Sequence, residues 1–313
     1  MPPKQRRTAQ RQSQLQSLGV KQFEYLPSIS RSGGGDDLDG DSLKKHEIQE
    51  KFRRWIDEKL LKLEASATEE LGIEKEKLLK EDVLRLFRKL REGIIAAKRQ
   101  DAFAAEVYEV SLLLAAAYGA TDQVTALAAQ ILAPSDTENA TSEALGSILM
   151  KKEIVVLLAL LHQIVHGLRH SPTFHSAVNK ILQHLPASLS PSRVNWLRGV
   201  MIGVKTQNYY AIWQLTSKAS LTGLLQDTLS PGTHGKRQEA AITHEVVALH
   251  HFVRDTAWGV VRCAYRDERE DWLAITLHLS SNPGGWLLQK QQLQEALRSD
   301  NKQVRWKVYK PRI

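Results

Sequence analysis

The sequence predicts an all-α protein, an irregular solenoid of helical hairpins of the tetratricopeptide-like kind, capped at its C-terminal end by a winged helix. Three observations predict it. Between Ser192 and Leu215, the apolar residues Val194, Leu197, Val200, Met201 and Val204 recur at helical spacing. The polar Lys205-Thr206-Gln207-Asn208 turn interrupts them, and a second helical run begins at Tyr209. Two helices therefore fold back on each other, and such a pair hides its apolar face by stacking on the next. Turns near Gly119, Arg169 and Thr206 separate three helix pairs without a strict period, which excludes an array of identical repeats. The end of the chain reads helix, helix, strand, the outline of a winged helix.

In chain order, residues 1–42 are rich in Gln, Arg, Ser, Gly and Asp and bury too little apolar surface to offset ordering entropy. They are expected to form a disordered tail dispensable for folding. A helix from Ser42 to about Leu63 carries Phe52, Trp55, Ile56 and Leu60 on one stripe. The next run sets Leu78, Leu79, Val83, Leu86, Phe87, Leu90, Ile94 and Ile95 against a basic side of Arg85, Arg88, Lys89, Arg91, Lys98 and Arg99, which reads first as a solvated face. Ala102 to Leu132 is an Ala-rich hairpin broken at 118–122, with Gly119 suited to C′ and Thr121 or Asp122 to the N-cap. A loop over 134–141, an apolar helix over 148–168 and a helix from Ser171-Pro172 to about His184 follow. In the turn at 205–208, Asn208 is expected to take the left-handed backbone, because its short amide tolerates positive φ.

Beyond the hairpin, Leu229 to Arg237 reads as a loop, and an amphipathic helix reaches about Tyr265 through Val246, Leu249, Val253, Ala257, Val260, Val261 and Ala264. Asp271 to Leu279 is a short helix, Asn282-Pro283 opens another reaching Leu297, and Gln303 to Tyr309 alternates as an exposed edge strand. The organisation is a tail over 1–42, a solenoid over 43–237, and a long helix with winged helix over 238–313, the last two forming one module.

At 313 residues and 42% hydrophobic, the chain buries a core without a disulfide framework, and its single cysteine, Cys263, allows no intrachain bridge. With no signal peptide at the basic N-terminus, the expected compartment is reducing, cytosol or nucleus. The longest apolar run, Ile154 to Leu168, contains His162, Gln163 and His166 and falls short of the roughly 20 residues a membrane span needs. The net charge of +8 is uneven: residues 1–22 carry +5, residues 298–313 carry +5, and the stretch between them is −2. Attraction to polyanions is thus expected from the ends.

The turn sequence Asn208-Tyr209-Tyr210, with Trp213 one turn on, resembles the small-x-Gly-Asn-Tyr-x-x-Phe-Phe segment of PCI-domain proteins of the germinal-centre-associated nuclear protein type. Gln207 stands where that family has glycine, and Trp213 where a Phe is usual. Upstream, Phe103-Ala104-Ala105-Glu106-Val107-Tyr108-Glu109 is similar to that family's Phe-x-x-Glu-Val-Tyr-Glu helix, and the likeness covers roughly residues 80 to 310. No Cys-Pro-x-Met-Cys-Pro segment precedes it, so the likeness is to short stand-alone members. The resemblance implies a helical solenoid capped by a winged helix and a nuclear adaptor in transcription-coupled messenger-RNA processing or export. It also implies other PCI subunits and a small acidic partner. A proteasome lid subunit of the same architecture is one alternative, and a metal-binding protein using the His162, His166 and His170 row is a second.

No catalytic constellation stands out, and no cofactor, metal or small-molecule substrate is expected. Gly232-Thr233-His234-Gly235-Lys236-Arg237 lacks the spacing and the Ser or Thr of a phosphate loop. His162, His166 and His170 share one helix face, the geometry of a metal site, but Gln163 denies the His-Glu-x-x-His pattern, and hydrogen-bonded histidines are the simpler expectation. Cys263 is expected to be a small packing residue. Binding remains: Lys302, Arg305, Lys307, Lys310 and Arg312 form a candidate basic wing for RNA or DNA phosphates, with Lys290 on the preceding helix. An edge strand there would also accept a neighbour's strand. The hairpin residues Asn208, Tyr209, Tyr210 and Trp213 are the candidate structural elements.

Overall fold

The computed structural model describes Phe23 and residues 42–66, 73–132, 148–149, 152–167, 176, 189–227, 229–264, 267–279, 286, 293–297 and 304–308. The fold is predominantly helical. Its helices are α1 (His46–Ser66), α2 (Ile73–Ala96), α3 (Ala102–Ala117), α4 (Thr121–Leu132), α5 (Glu153–Gly167), α6 (Pro191–Lys205), α7 (Tyr209–Leu215), α8 (Lys218–Leu225), α9 (Thr233–Ala264) and α10 (Glu270–Thr276). A small sheet of β1 (Asp267–Arg269), β2 (Leu293–Leu297) and β3 (Val304–Val308) joins them. Among the described residues no helix is long and apolar enough to cross a membrane. The chain divides into two compact units, Met1–His162 with Ser230–Ala241, and Gln163–Leu229 with Ile242–Ile313.

In the first unit, α1 packs on α2, α2 on α3 and α3 on α4. The stripe of α1 is as its spacing predicts, with Phe52, Ile56 and Leu60 fully buried. The stripe of α2 begins at Val83, and Leu78 and Ile95, expected inside, are 64% and 57% exposed. Helix α3 is buried nearly all round, so its two internal polar residues need partners. Arg91 Nη1 donates to Ser111 Oγ at 2.7 Å, and Glu109 pairs with Lys152 and, at 3.2 Å, with His234.

Arg99 ties the start of the unit together. Its side chain is 5% exposed and binds Glu50 at 2.9 Å, Asp101 at 2.8 Å and Gln49 at 3.2 Å, with the guanidinium over the Phe103 ring. Asp101 in turn caps α3 by accepting from Ala104 N. Burial works against the charge on Asp101, but the hydrogen bonds from Ala104 N and Arg99 hold its carboxyl below the usual range. The basic side of α2 divides: Arg85 and Arg88 are exposed, as a solvated face predicts, and pair along the helix with Asp82 and Glu92, while Arg91 and Arg99 bond within the unit.

Four helix ends share one closure. After α3, Gly119 sits at φ +72° while Ala120 N returns to Ala115 O and Gly119 N to Ala116 O, the double bond pattern of a left-handed C-terminal cap. The expected C′ role of Gly119 is thus observed, but α4 begins at Thr121 itself, so its cap position falls on Ala120 rather than on Thr121 or Asp122. The same closure ends α2 at Lys98 (φ +53°), α6 at Gln207 (φ +54°) and α10 at His278 (φ +47°). At each, the next N–H reaches back to the carbonyl five residues earlier: Arg99 to Ile94, Asn208 to Gly203 and Leu279 to Ala274.

This corrects the expectation for Asn208. The left-handed residue is Gln207, because α6 runs to Lys205 and its closing bonds count from Gly203. Asn208 lies at φ −84° and instead caps α7, its Oδ1 accepting from Ala211 N at 3.1 Å. The expected loop to Arg237 is also shorter, since α9 starts at Thr233. Gly235 makes that start possible. A Cβ there would stand 1.9 Å from Ser230 O, and Gln238 Oε1 accepts from Ser230 N at 2.9 Å.

In the second unit α6 and α7 pack closely. Two glycines one turn apart make the approach: a Cβ on Gly199 would lie 2.9 Å from Leu215 Cδ1, and one on Gly203 2.7 Å from Ile212 Cγ1. Trp196 Nε1 donates to Leu215 O at 2.8 Å and Arg193 Nη2 to Leu224 O at 2.8 Å. The three strands are antiparallel in the order β1-β3-β2.

Two expectations fail at the sheet. Leu293-Gln-Glu-Ala-Leu297, read as the end of a helix, is strand β2, because pairing Leu293 with Val308 and Leu297 with Val304 overrides its local helical preference. The strand at 304–308 is central rather than an edge, since β1, too short to signal itself, takes its other side. The expected helix over 171–184, the loop over 134–141 and the tail lie outside the described residues, apart from Ser176, Phe23 and Ser42.

Candidate functional site

The best-built cluster lies where α7 meets α9 and the end of α10, within the second unit. Asn208 fixes the start of α7, which carries Tyr209 and Trp213 inward and leaves Tyr210 69% exposed. Trp213 is flanked by two imidazoles, His250 of α9 at 3.9 Å between ring centroids and His278 at 4.5 Å. The Arg254 guanidinium stands 5.7 Å from the Trp213 ring and donates to Leu277 O and His278 O, the carbonyls just past α10, at 3.0 and 3.2 Å. Tyr209 packs against Ala257, Trp258, Val261, Leu273 and Leu277, beside Trp272, Leu279 and Trp286. Trp258 and Trp286 meet edge to face at 6.0 Å.

The protonation of this cluster follows from its bonds. Thr216 Oγ1 gives its proton to Ile212 O at 2.7 Å, so at 2.6 Å it accepts from His250 Nε2, which fixes the tautomer. Burial, then the nearby Arg254 and His278, push the His250 pKa down to about 4, and burial with Arg254 lowers His278. Both rings are neutral near pH 7, and the cluster works as an aromatic clamp holding α7 on α9. Sequence reasoning named Trp213 but not His250, Arg254 or His278. The spacing of His250 and Arg254 by one turn was the available signal.

The basic candidates divide. Arg305 and Lys307 lie on β3, where Arg305 is in register with Ala296 and Arg269, and Lys307 with Gln294 and Asp267. Pairing thus adds Arg269, which no pattern near 305 foretold. Lys290, Lys302, Lys310 and Arg312 lie outside the described residues.

Two histidines of the row, His162 and His166, are described, and each has a partner. Thr125 Oγ1 donates to Thr121 O, so His162 Nε2, 2.9 Å away, donates to Thr125, and the ring is buried. His166 pairs with the buried Glu245 at 3.4 Å, and His170 lies outside the described residues. In the Glu-Val-Tyr-Glu segment, Val107, Tyr108 and Glu109 are buried, while the exposed Glu106 pairs with Arg53 at 3.5 Å. Cys263, expected to be a packing residue, is exposed on α9. No family model, curated protein or solved structure matches the chain.

Proposed function

We propose that the chain is a non-enzymatic PCI-type scaffold, a helical solenoid whose C-terminal part is a winged helix that contacts nucleic acid. One observation carries the reading: a three-stranded antiparallel sheet ordered β1-β3-β2 follows the 32-residue α9, with α10 between β1 and β2. A helix between β1 and β2 followed by the antiparallel β2–β3 pair fits the winged helix that the order of elements in the sequence suggests. The consecutive packing of α1 to α4 supports the solenoid, and the clamp at Trp213 supports a hairpin seated on the capping module. In this reading Arg269, Arg305 and Lys307, brought into register on β1 and β3, contribute to a basic surface for a phosphate backbone, together with Lys290, Lys302, Lys310 and Arg312. The place of action is the nucleus or cytoplasm, in a complex with other PCI subunits and a small acidic partner that serves messenger-RNA processing or export. A lid subunit of the proteasome is the competing assignment, and affinity purification with mass spectrometry separates the two.

The direct test is Arg305→Glu with Lys307→Glu. Affinity for single-stranded RNA and duplex DNA is expected to fall alike for all sequences, and the salt slope to flatten by about two, one per lost phosphate contact. Unchanged binding with loss of a protein partner would make this surface an assembly face instead.

A further inference from the structure

The N-terminal region reads in sequence as one uniform tail, yet one of its residues is placed against the first unit. Phe23 is half-buried, and its ring lies 5.6 Å from Phe52 and 5.8 Å from Trp55, tilted by 49° and 43°. Phe52 and Trp55 stack on each other at 5.6 Å and 20°, so three rings close a triangle of near-equal sides on α1. All three separations fall in the range aromatic pairs favour. Phe52 is fully buried, Trp55 is 4% exposed, and Lys59 Nζ stands 4.4 Å from the centroid of the Trp55 ring, so the site joins an apolar floor to a cationic rim.

We propose that the Phe52–Trp55 face of α1 is a peptide-docking site whose occupant is this chain's own N-terminal segment, anchored in cis through Phe23. The connection permits it. Eighteen residues, Glu24 to Asp41, separate Phe23 from Ser42, and at full extension they reach roughly 60 Å, so the ring meets α1 of its own chain without strain. Tethering makes docking an intramolecular event, so a single aromatic anchor suffices where a free peptide would need several. Charge is sorted about the anchor: residues 1–22 carry +5 and residues 24–41 carry −4. Docking at Phe23 therefore roots the basic arm on the first unit, at a fixed point.

The test uses the full chain with p-benzoylphenylalanine in place of Phe23. Irradiation is expected to give a monomeric product in which position 23 is joined to the segment 46–66, in a yield independent of protein concentration. Crosslinks spread over other segments would overturn the proposal. So would crosslinked dimers whose yield rises with concentration, since the occupant would then be a second copy. Independently, trypsin is expected to cleave after Lys21 faster in Phe23→Ala than in wild type, with Phe23→Leu between them and helical content unchanged. Equal cleavage rates in all three would show that Phe23 anchors nothing.

Discussion

The turn between α6 and α7 offers a sharp test, because two adjacent residues carry different duties. Gln207 holds φ +54°, a conformation that costs a residue with a Cβ about 1–2 kcal/mol. Gln207→Gly removes that strain and restores about 0.4–1 kcal/mol of unfolded-chain entropy, so the net expectation is a stabilisation of about 0.5–1 kcal/mol. Asn208 contributes a cap bond to Ala211 N, so Asn208→Ala is expected to cost about 1 kcal/mol and Asn208→Gly a few tenths. Denaturant midpoints followed by circular dichroism, with an unchanged slope, measure each value. The reasoning is refuted if Asn208→Gly stabilises while Gln207→Gly destabilises, since the left-handed position would then be Asn208.

Two further outcomes follow from close contacts and from protonation. Gly235→Ala would set a methyl 1.9 Å from Ser230 O and disrupt the Ser230–Gln238 bond, a loss on the order of 3 kcal/mol, whereas Gly259→Ala in the same helix meets nothing within 4 Å and should gain about 0.5–1 kcal/mol. Thermal unfolding of the pair distinguishes a clash from an ordinary glycine effect. The His250 pKa is depressed to about 4 from 6.5, so the unfolded chain binds the proton more readily. The stability His250 contributes is therefore full above pH 6.5 and is lost as pH falls toward 4. Its ceiling is about 3 kcal/mol, which partial exposure cuts to roughly 1–2 kcal/mol. His250→Gln should flatten the stability profile over that window, and an unaltered profile would place the titrating group elsewhere.

The sequence by itself determined most of the described helices. Their apolar spacing is a local property, which is why the stripe of α1, the break at Gly119 and the hairpin around 205–208 could be read from neighbouring residues. It also held the alternation at 304–308, since side-chain period distinguishes strand from helix within a few residues. Tertiary structure decided the rest. Leu293 to Leu297 is a good helical sequence and becomes a strand only because β3 offers it a ladder, and Asp267 to Arg269 is too short to signal anything alone. The clamp around Trp213 draws on His250 and Arg254 of α9 and on His278, all distant from Trp213 in the chain and brought to it when α7, α9 and the end of α10 pack. Phe23 is the plainest case: its surroundings in sequence favour an unstructured tail, and only the rings of Phe52 and Trp55 give it a place. A periodic pattern records what a segment must hide from water, but it does not record which partner will cover it.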